Sequence, residues 1–158
     1  DLGLVQDAVL AQSEKERAAF WAIRDNIESL AVLWPLAIFD ISLPLATMED
    51  YLERTGARLE QRLGELRWVT FGHLGDSNLH LAIALGGDDP ALRHAVEEIV
   101  YAGLAGIGGS VSAEHGIGLE KREFLHCSRS ATEIELMKTL KRALDPRNIL
   151  NPERIFHL

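Results

Sequence analysis

Between residues 36 and 112 the hydrophobic pattern switches repeatedly between strand and helix periods, and that order constrains the fold more than any other feature of the chain. Leu36 to Ser42 reads as a strand that Pro44 stops. Met48, Leu52, Leu59 and Leu63 then return at helical spacing, with Gly64 placed to end the helix. Arg67 to His73 and Asn78 to Leu85 are short strand-like runs around a hairpin loop, Leu74-Gly75-Asp76-Ser77. Asp89-Pro90 opens a second helix, with Leu92, Val96, Ile99, Val100 and Ile107 on one side, and Ser110-Val111-Ser112 can form one more strand. Strand, helix, strand, strand, helix, strand is the order of a split βαβ unit. The expectation is therefore an α+β fold, with an antiparallel sheet, helices on one face and a ferredoxin-like split βαβ core.

The flanks are helical. Ser13 and Glu16 have the spacing of a capping box, and a helix over about 13–31 would bury Phe20, Ile23, Ile27 and Leu30, with Arg24 to the side. Ser130 and Glu133 form a second box, ahead of a helix carrying Ile134, Met137, Leu140 and Leu144 that ends at Asp145-Pro146. Asn148 to Leu158 reads as an irregular arm, and Trp21, Trp34 and Trp68 as core. A length of 158 residues suits one domain. The net charge of −8 argues against a nucleic-acid partner, which needs clustered positive charge. Cys127 is the single cysteine, so no intramolecular disulfide forms. The longest apolar stretch, Ala31 to Phe39, is broken by Pro35 and falls short of a membrane span. The chain opens Asp1-Leu2-Gly3, without Met or a basic leader, which suggests an excised piece with no signal peptide. The expected location is cytoplasmic, at a membrane surface only through partners.

Neither glycine-rich loop has the residues of a phosphate cradle: Gly72-His73-Leu74-Gly75-Asp76 lacks the Lys-Ser/Thr pair, and Gly103 to Gly109 follows a helix instead of a strand. The histidines are more informative. His73 and His80 bracket the hairpin loop, while Glu114 and His115 lie in a second loop that a strand end would bring near it. Two imidazoles and one carboxylate, with a position left open, suit Zn²⁺ or another divalent ion used as a Lewis acid. On spacing alone, two histidines on hairpin strands are more often partly buried structural residues than metal ligands. His94, His126 and His157 read as structural or solvated, as does Cys127 beside His126, and the acidic helix residues Glu49, Asp50, Glu53, Glu97 and Glu98 as solvated faces.

The run Gly72-His73-Leu74-Gly75-Asp76-Ser77-Asn78-Leu79-His80 resembles the GHxGDGNxH segment of the C-terminal domain of FAD-linked oxidases. Further blocks agree in order: Phe20 to Asp25, Ser110 to Gly118, and Asp145 to Pro152. The family includes D-lactate dehydrogenases, the glycolate oxidase FAD subunit and D-2-hydroxyglutarate dehydrogenase. The resemblance implies that residues 1–158 are the substrate- and metal-binding domain of a 2-hydroxy-acid dehydrogenase, with FAD held mainly by an N-terminal domain outside the chain. It implies His73, His80 and Glu114 as ligands of a divalent metal, commonly zinc; His115 as base; Arg24 as partner of a substrate carboxylate; and Asn151 as a cofactor contact. A His can act as a base near neutral pH, and Arg pairs bidentately with a carboxylate.

There are departures. Ser77 replaces the second glycine of the GHxGDGNxH segment, the chain is apolar near Ile38 where the hydroxyglutarate enzymes have a lysine, Glu28 falls where they have a threonine, and Ala82 stands where they have an asparagine. A monocarboxylate such as lactate or glycolate therefore stands beside hydroxyglutarate as candidate substrate. The expected partners are a small 2-hydroxy acid and an unspecified electron acceptor, with a homodimer left open. The competing readings are a non-catalytic metal- or ligand-binding module from a truncated gene, and a metal-dependent hydrolase.

Overall fold

The computed structural model describes residues 7–158, in two compact units that divide after Val32. In the first unit, helix α1 (Glu14–Arg24) starts as the sequence suggests: the Ser13 hydroxyl accepts the Glu16 N–H at 3.2 Å. The Glu16 carboxylate reaches back to the Gln12 N–H at 2.6 Å, so the reciprocal half of the box falls one residue early. The helix stops at Arg24 and a 3₁₀ segment follows from Ile27, so the expected span of 13–31 is corrected. Asp25 and Asn26 intervene, and their short polar side chains compete with helical hydrogen bonds. The expected buried stripe is also corrected, since Phe20, Ile23 and Ile27 are exposed. Within the described residues of this unit, a single helix and a 3₁₀ segment do not themselves make a second layer over the stripe. Trp21 and Trp34 are likewise exposed instead of core.

The second unit contains β1 (Leu36–Ser42), α2 (Leu45–Leu63), β2 (Trp68–His73), β3 (Asn78–Ala84), α3 (Pro90–Ala102) and α4 (Ala131–Leu144). The sheet order is β1-β3-β2, with both neighbouring pairs antiparallel. β1 and β2 thus run parallel with β3 inserted between them, which is the expected split βαβ arrangement in an α+β fold. Strand alternation gives the sheet two different faces. Ala37, Phe39 and Ile41 of β1 and Leu79, Leu81 and Ile83 of β3 are buried on one face, in a cluster with Tyr51 and Leu59 of α2 and Val96, Val100 and Tyr101 of α3. Phe39 meets Tyr101 edge-on at 5.4 Å.

The expected fourth strand shrinks to one bridge, in which Ser42 and Ser110 exchange hydrogen bonds of 3.1 and 2.7 Å. Side chains take the donors that a ladder would use. The Val111 N–H goes to the Ser128 hydroxyl at 2.8 Å and the Ser112 N–H to the Ser110 hydroxyl at 3.4 Å. The segment therefore leaves the edge of β1 and turns across the other face of the sheet.

Gly72 fixes how closely β2 approaches β3. A Cβ there would lie 2.3 Å from the Asn78 carbonyl oxygen, which cannot yield without opening the ladder. Gly72→Ala is expected to cost about 1–3 kcal/mol as an overpacking change. A urea midpoint equal to that of the unsubstituted chain would contradict this.

At the other end, α4 begins with the full capping box of Ser130 and Glu133. Asp145 then anchors the arm, accepting the N–H groups of Ile149 at 3.0 Å and Leu150 at 2.8 Å and the Lys141 ammonium at 2.5 Å. The Lys141 hydrogen bond leads these contacts in pulling the carboxyl from its ordinary 3.8 to about 2. Because the folded value is depressed, this anchoring is complete above the ordinary value and is lost as pH falls towards about 2. NMR shifts of the Ile149 and Leu150 amides are expected to change over that acid window, and the change should vanish in Asp145→Asn.

Candidate metal centre on the open sheet face

The same alternation that fills the core face places a polar group on the opposite face. Register aligns Ser42, Asn78 and His73 in one row, Asp40, His80 and Phe71 in the next, and Ile38, Ala82 and Val69 in a third. Ile38, Val69 and Phe71 of this face are exposed, whereas the apolar residues of β1 and β3 on the other face are buried against α2 and α3. His80 is 8% exposed and stacks on Phe71 at 5.0 Å. The hairpin supplies the convergence. Its loop makes a 3₁₀ turn at Leu74–Asp76, Ser77 is left-handed at φ 66°, and Asp76 accepts the Asn78 N–H at 3.1 Å. That closure sets His73 opposite Asn78, two residues before His80, and both imidazoles emerge on one face.

The segment leaving Ser110 brings the carboxylate. Glu114 Oε1 accepts from Asn78 Nδ2 at 2.6 Å and lies 3.5 Å from His73 Nε2. One ligand atom from each of His73, His80 and Glu114 lies within 4.8 Å of the others. Two imidazole nitrogens and one carboxylate oxygen are the donor set of a borderline cation, with room for a further ligand. Asn78 Oδ1 is buried without a hydrogen-bond partner beside this group, an acceptor left open where polar satisfaction is the rule. The residues fit a divalent ion.

Beneath the loop sits Asp40, 1% exposed. Its carboxylate accepts the N–H groups of Glu114 at 3.0 Å and His115 at 2.8 Å and the Ser112 hydroxyl at 3.2 Å. Lys121 Nζ lies 3.5 Å from Asp40 Oδ2 and donates to the Asp40 carbonyl and the Ser112 hydroxyl, each at 3.2 Å. Burial raises the Asp40 pKa, but the two backbone donors and the Lys121 charge together outweigh it, so the carboxyl is held below its ordinary value. Burial lowers the Lys121 pKa, against the opposing pull of Asp40. The His115 ring is 6.1 Å from the His80 ring, centre to centre, and its Nδ1 is 3.6 Å from Asp40 Oδ2.

The structure thus gathers four of the residues singled out in the sequence, His73, His80, Glu114 and His115. Arg24 belongs to the first unit, where it is exposed, bonds Asp25 at 2.6 Å and lies over the Trp21 ring. Asn151 is exposed in the arm with φ 49° and takes no part in the hydrogen bonds of the cluster. His157, read from the sequence as structural or solvated, bonds Glu153 at 2.7 Å. Cys127 and His126, read from the sequence as structural or solvated, approach to 3.5 Å, and burial raises the thiol pKa and leaves it unactivated. Asp40, Asn78 and Lys121 were missed by the sequence reading. The signal for the first two was strand parity, since both share a face with His80.

The family model for the C-terminal domain of FAD linked oxidases matches residues 1–155. The chain is 40% identical over 156 residues to the mitochondrial D-2-hydroxyglutarate dehydrogenase of Bos taurus, covering 98% of this chain and 28% of the relative. It is 37% identical over 159 residues to the D-2-hydroxyglutarate dehydrogenase of Stutzerimonas stutzeri, covering 98% and 34%. A Schizosaccharomyces pombe protein, provisionally named a mitochondrial D-lactate dehydrogenase, is 38% identical over 159 residues, with 94% and 30% covered. The chain spans about a quarter to a third of the length of these relatives.

Proposed function

The chain belongs to the family of C-terminal domains of FAD-linked oxidases, and from that premise we propose that it is the substrate- and metal-binding part of an FAD-dependent dehydrogenase that oxidises a D-2-hydroxy acid to the 2-oxo acid. The observation that carries this reading is the meeting of His73, His80 and Glu114 within 4.8 Å on an open sheet face, with His115 beside them. These three residues would hold a divalent cation, zinc first. When bound, the cation supplies charge that favours the ionised substrate hydroxyl, and the flavin supplies the two-electron acceptor. His115 accepts the hydroxyl proton, and Arg24 pairs with the substrate carboxylate. Asn151 is assigned to the flavin side.

The substrate side chain would lie along the neighbouring row of Ile38, Ala82 and Val69. A second carboxylate would meet carbon there, so the test sets lactate and glycolate beside 2-hydroxyglutarate. No helix among the described residues is long and apolar enough to cross a membrane, and a cytoplasmic location is part of the proposal.

The experiment is a panel of D- and L-2-hydroxy acids, an artificial electron acceptor and the complete protein that carries this chain, with metal measured on the same sample. Turnover of a D-2-hydroxy acid by metal-containing protein is expected. Bound metal without turnover of any member would favour the non-catalytic binding module. The 158 residues alone are expected to take up the cation and little or no FAD. A yellow preparation with stoichiometric flavin would contradict the division of labour.

A further inference from the structure

Asp40 is buried on the edge strand β1, and its carboxylate accepts from the backbone of the loop that carries Glu114 and His115, not from the side-chain ligand atoms of the three-residue cluster. Both backbone donors it accepts belong to functional positions: Glu114, at 3.0 and 3.2 Å, and His115, at 2.8 Å. The Ser112 hydroxyl adds a third donor, and the Asp40 backbone carbonyl accepts the Ala113 N–H at 3.3 Å. The segment from Ser112 to His115 is therefore tied to one residue of β1. No regular ladder replaces those bonds, because the strand ends at the Ser42–Ser110 bridge.

We propose that Asp40 is the positioning residue of this site, gripping the loop over the sheet so that the Glu114 carboxylate reaches His73 and the His115 ring stands beside His80. The grip is electrostatic as well as geometric. N–H groups donated to an ionised carboxylate make stronger bonds than those to a neutral acceptor. Lys121, 8% exposed, balances the buried charge and braces Ser112 from below. Asp40 Oδ2 also faces His115 Nδ1 at 3.6 Å, which leaves Nε2 as the nitrogen available to substrate.

The proposal rests on the site reading given above, and its test separates the two. In the complete protein, Asp40→Asn keeps the shape but puts an amide donor among donors. Because it also leaves Lys121 buried without its counter-charge, Asp40→Asn/Lys121→Met is made in parallel as the variant that retains the fold. Zinc affinity by competition titration is expected to fall about 10- to 100-fold in both, the usual effect of losing a partner that orients a metal ligand. kcat should fall with KM little changed. In metal-free protein the Glu114 and His115 amides should exchange faster than in the unsubstituted chain. Wild-type zinc affinity and kcat in the double variant would overturn the proposal, as would losses that follow the folded fraction alone. If the unsubstituted protein binds no zinc, the site reading fails, and amide exchange still decides whether Asp40 holds the loop: unchanged exchange overturns it, faster exchange supports it.

Discussion

If His73, His80 and Glu114 hold the proposed divalent metal, replacing any one of them by Ala is expected to strip it from the complete protein and with it nearly all turnover. The loss should exceed the roughly 10- to 100-fold typical of residues that only orient a ligand, because each substitution removes one of three donors. The structural cost differs among them. His73 and Glu114 have side chains 42% and 45% exposed, so their removal leaves little void. His80 stacks on Phe71 and is nearly buried, so His80→Ala should also lower the unfolding midpoint. His73→Ala and Glu114→Ala therefore give the cleaner reading: metal and turnover lost, fold retained. Metal content by elemental analysis and turnover with a D-2-hydroxy acid check this together, and unchanged values in both variants would remove the assignment.

The second large effect is expected at His115. His115→Asn removes the proposed base while leaving Glu114 and both histidines in place, so metal content should be unchanged and kcat should fall by about 10²- to 10⁴-fold. Glu114→Ala and His115→Asn thus dissociate binding from chemistry at adjacent positions. The backbone N–H of residue 115 still reaches Asp40 in the variant, so the loop keeps its grip. The check is kcat measured on protein of equal metal and flavin content. A kcat within a few-fold of the unsubstituted enzyme would move the base elsewhere.

How much of this was legible in the sequence depends on whether periodicity or tertiary context decided the outcome. β1 over Leu36–Ser42 and the hairpin strands were readable because strand alternation and loop composition agree there. Both apolar helices of the core and the Ser130 capping box were readable for the same reason. The helix after Ser13 was overextended, since the apolar spacing continues through Ile27 and Leu30 while Asp25 and Asn26 end the helix. Ser110 to Ser112 looked like a strand, yet serine hydroxyls in the segment and at Ser128 take donors that a ladder needs.

The candidate site divides in the same way. His73 and His80 were visible from their position around a tight loop, and Glu114 with His115 from their place in the loop after Ser110 to Ser112 and from the resemblance of their block. Asp40 was hidden because it stands among apolar residues of a strand, where its partners come from residues 72 to 81 positions later. Such pairing leaves no local spacing to read. Only the alternation of β1, which sets Asp40 on the face opposite Phe39 and Ile41, marked it as a neighbour of His80.

The most direct test of the central claim, that this open sheet face holds a divalent cation, is an anomalous difference map at the zinc edge from crystals grown with zinc. A single strong peak is predicted, within about 2.0–2.2 Å of one nitrogen each of His73 and His80 and of a Glu114 oxygen. No peak on these three side chains, with zinc bound elsewhere or not at all, would contradict the account.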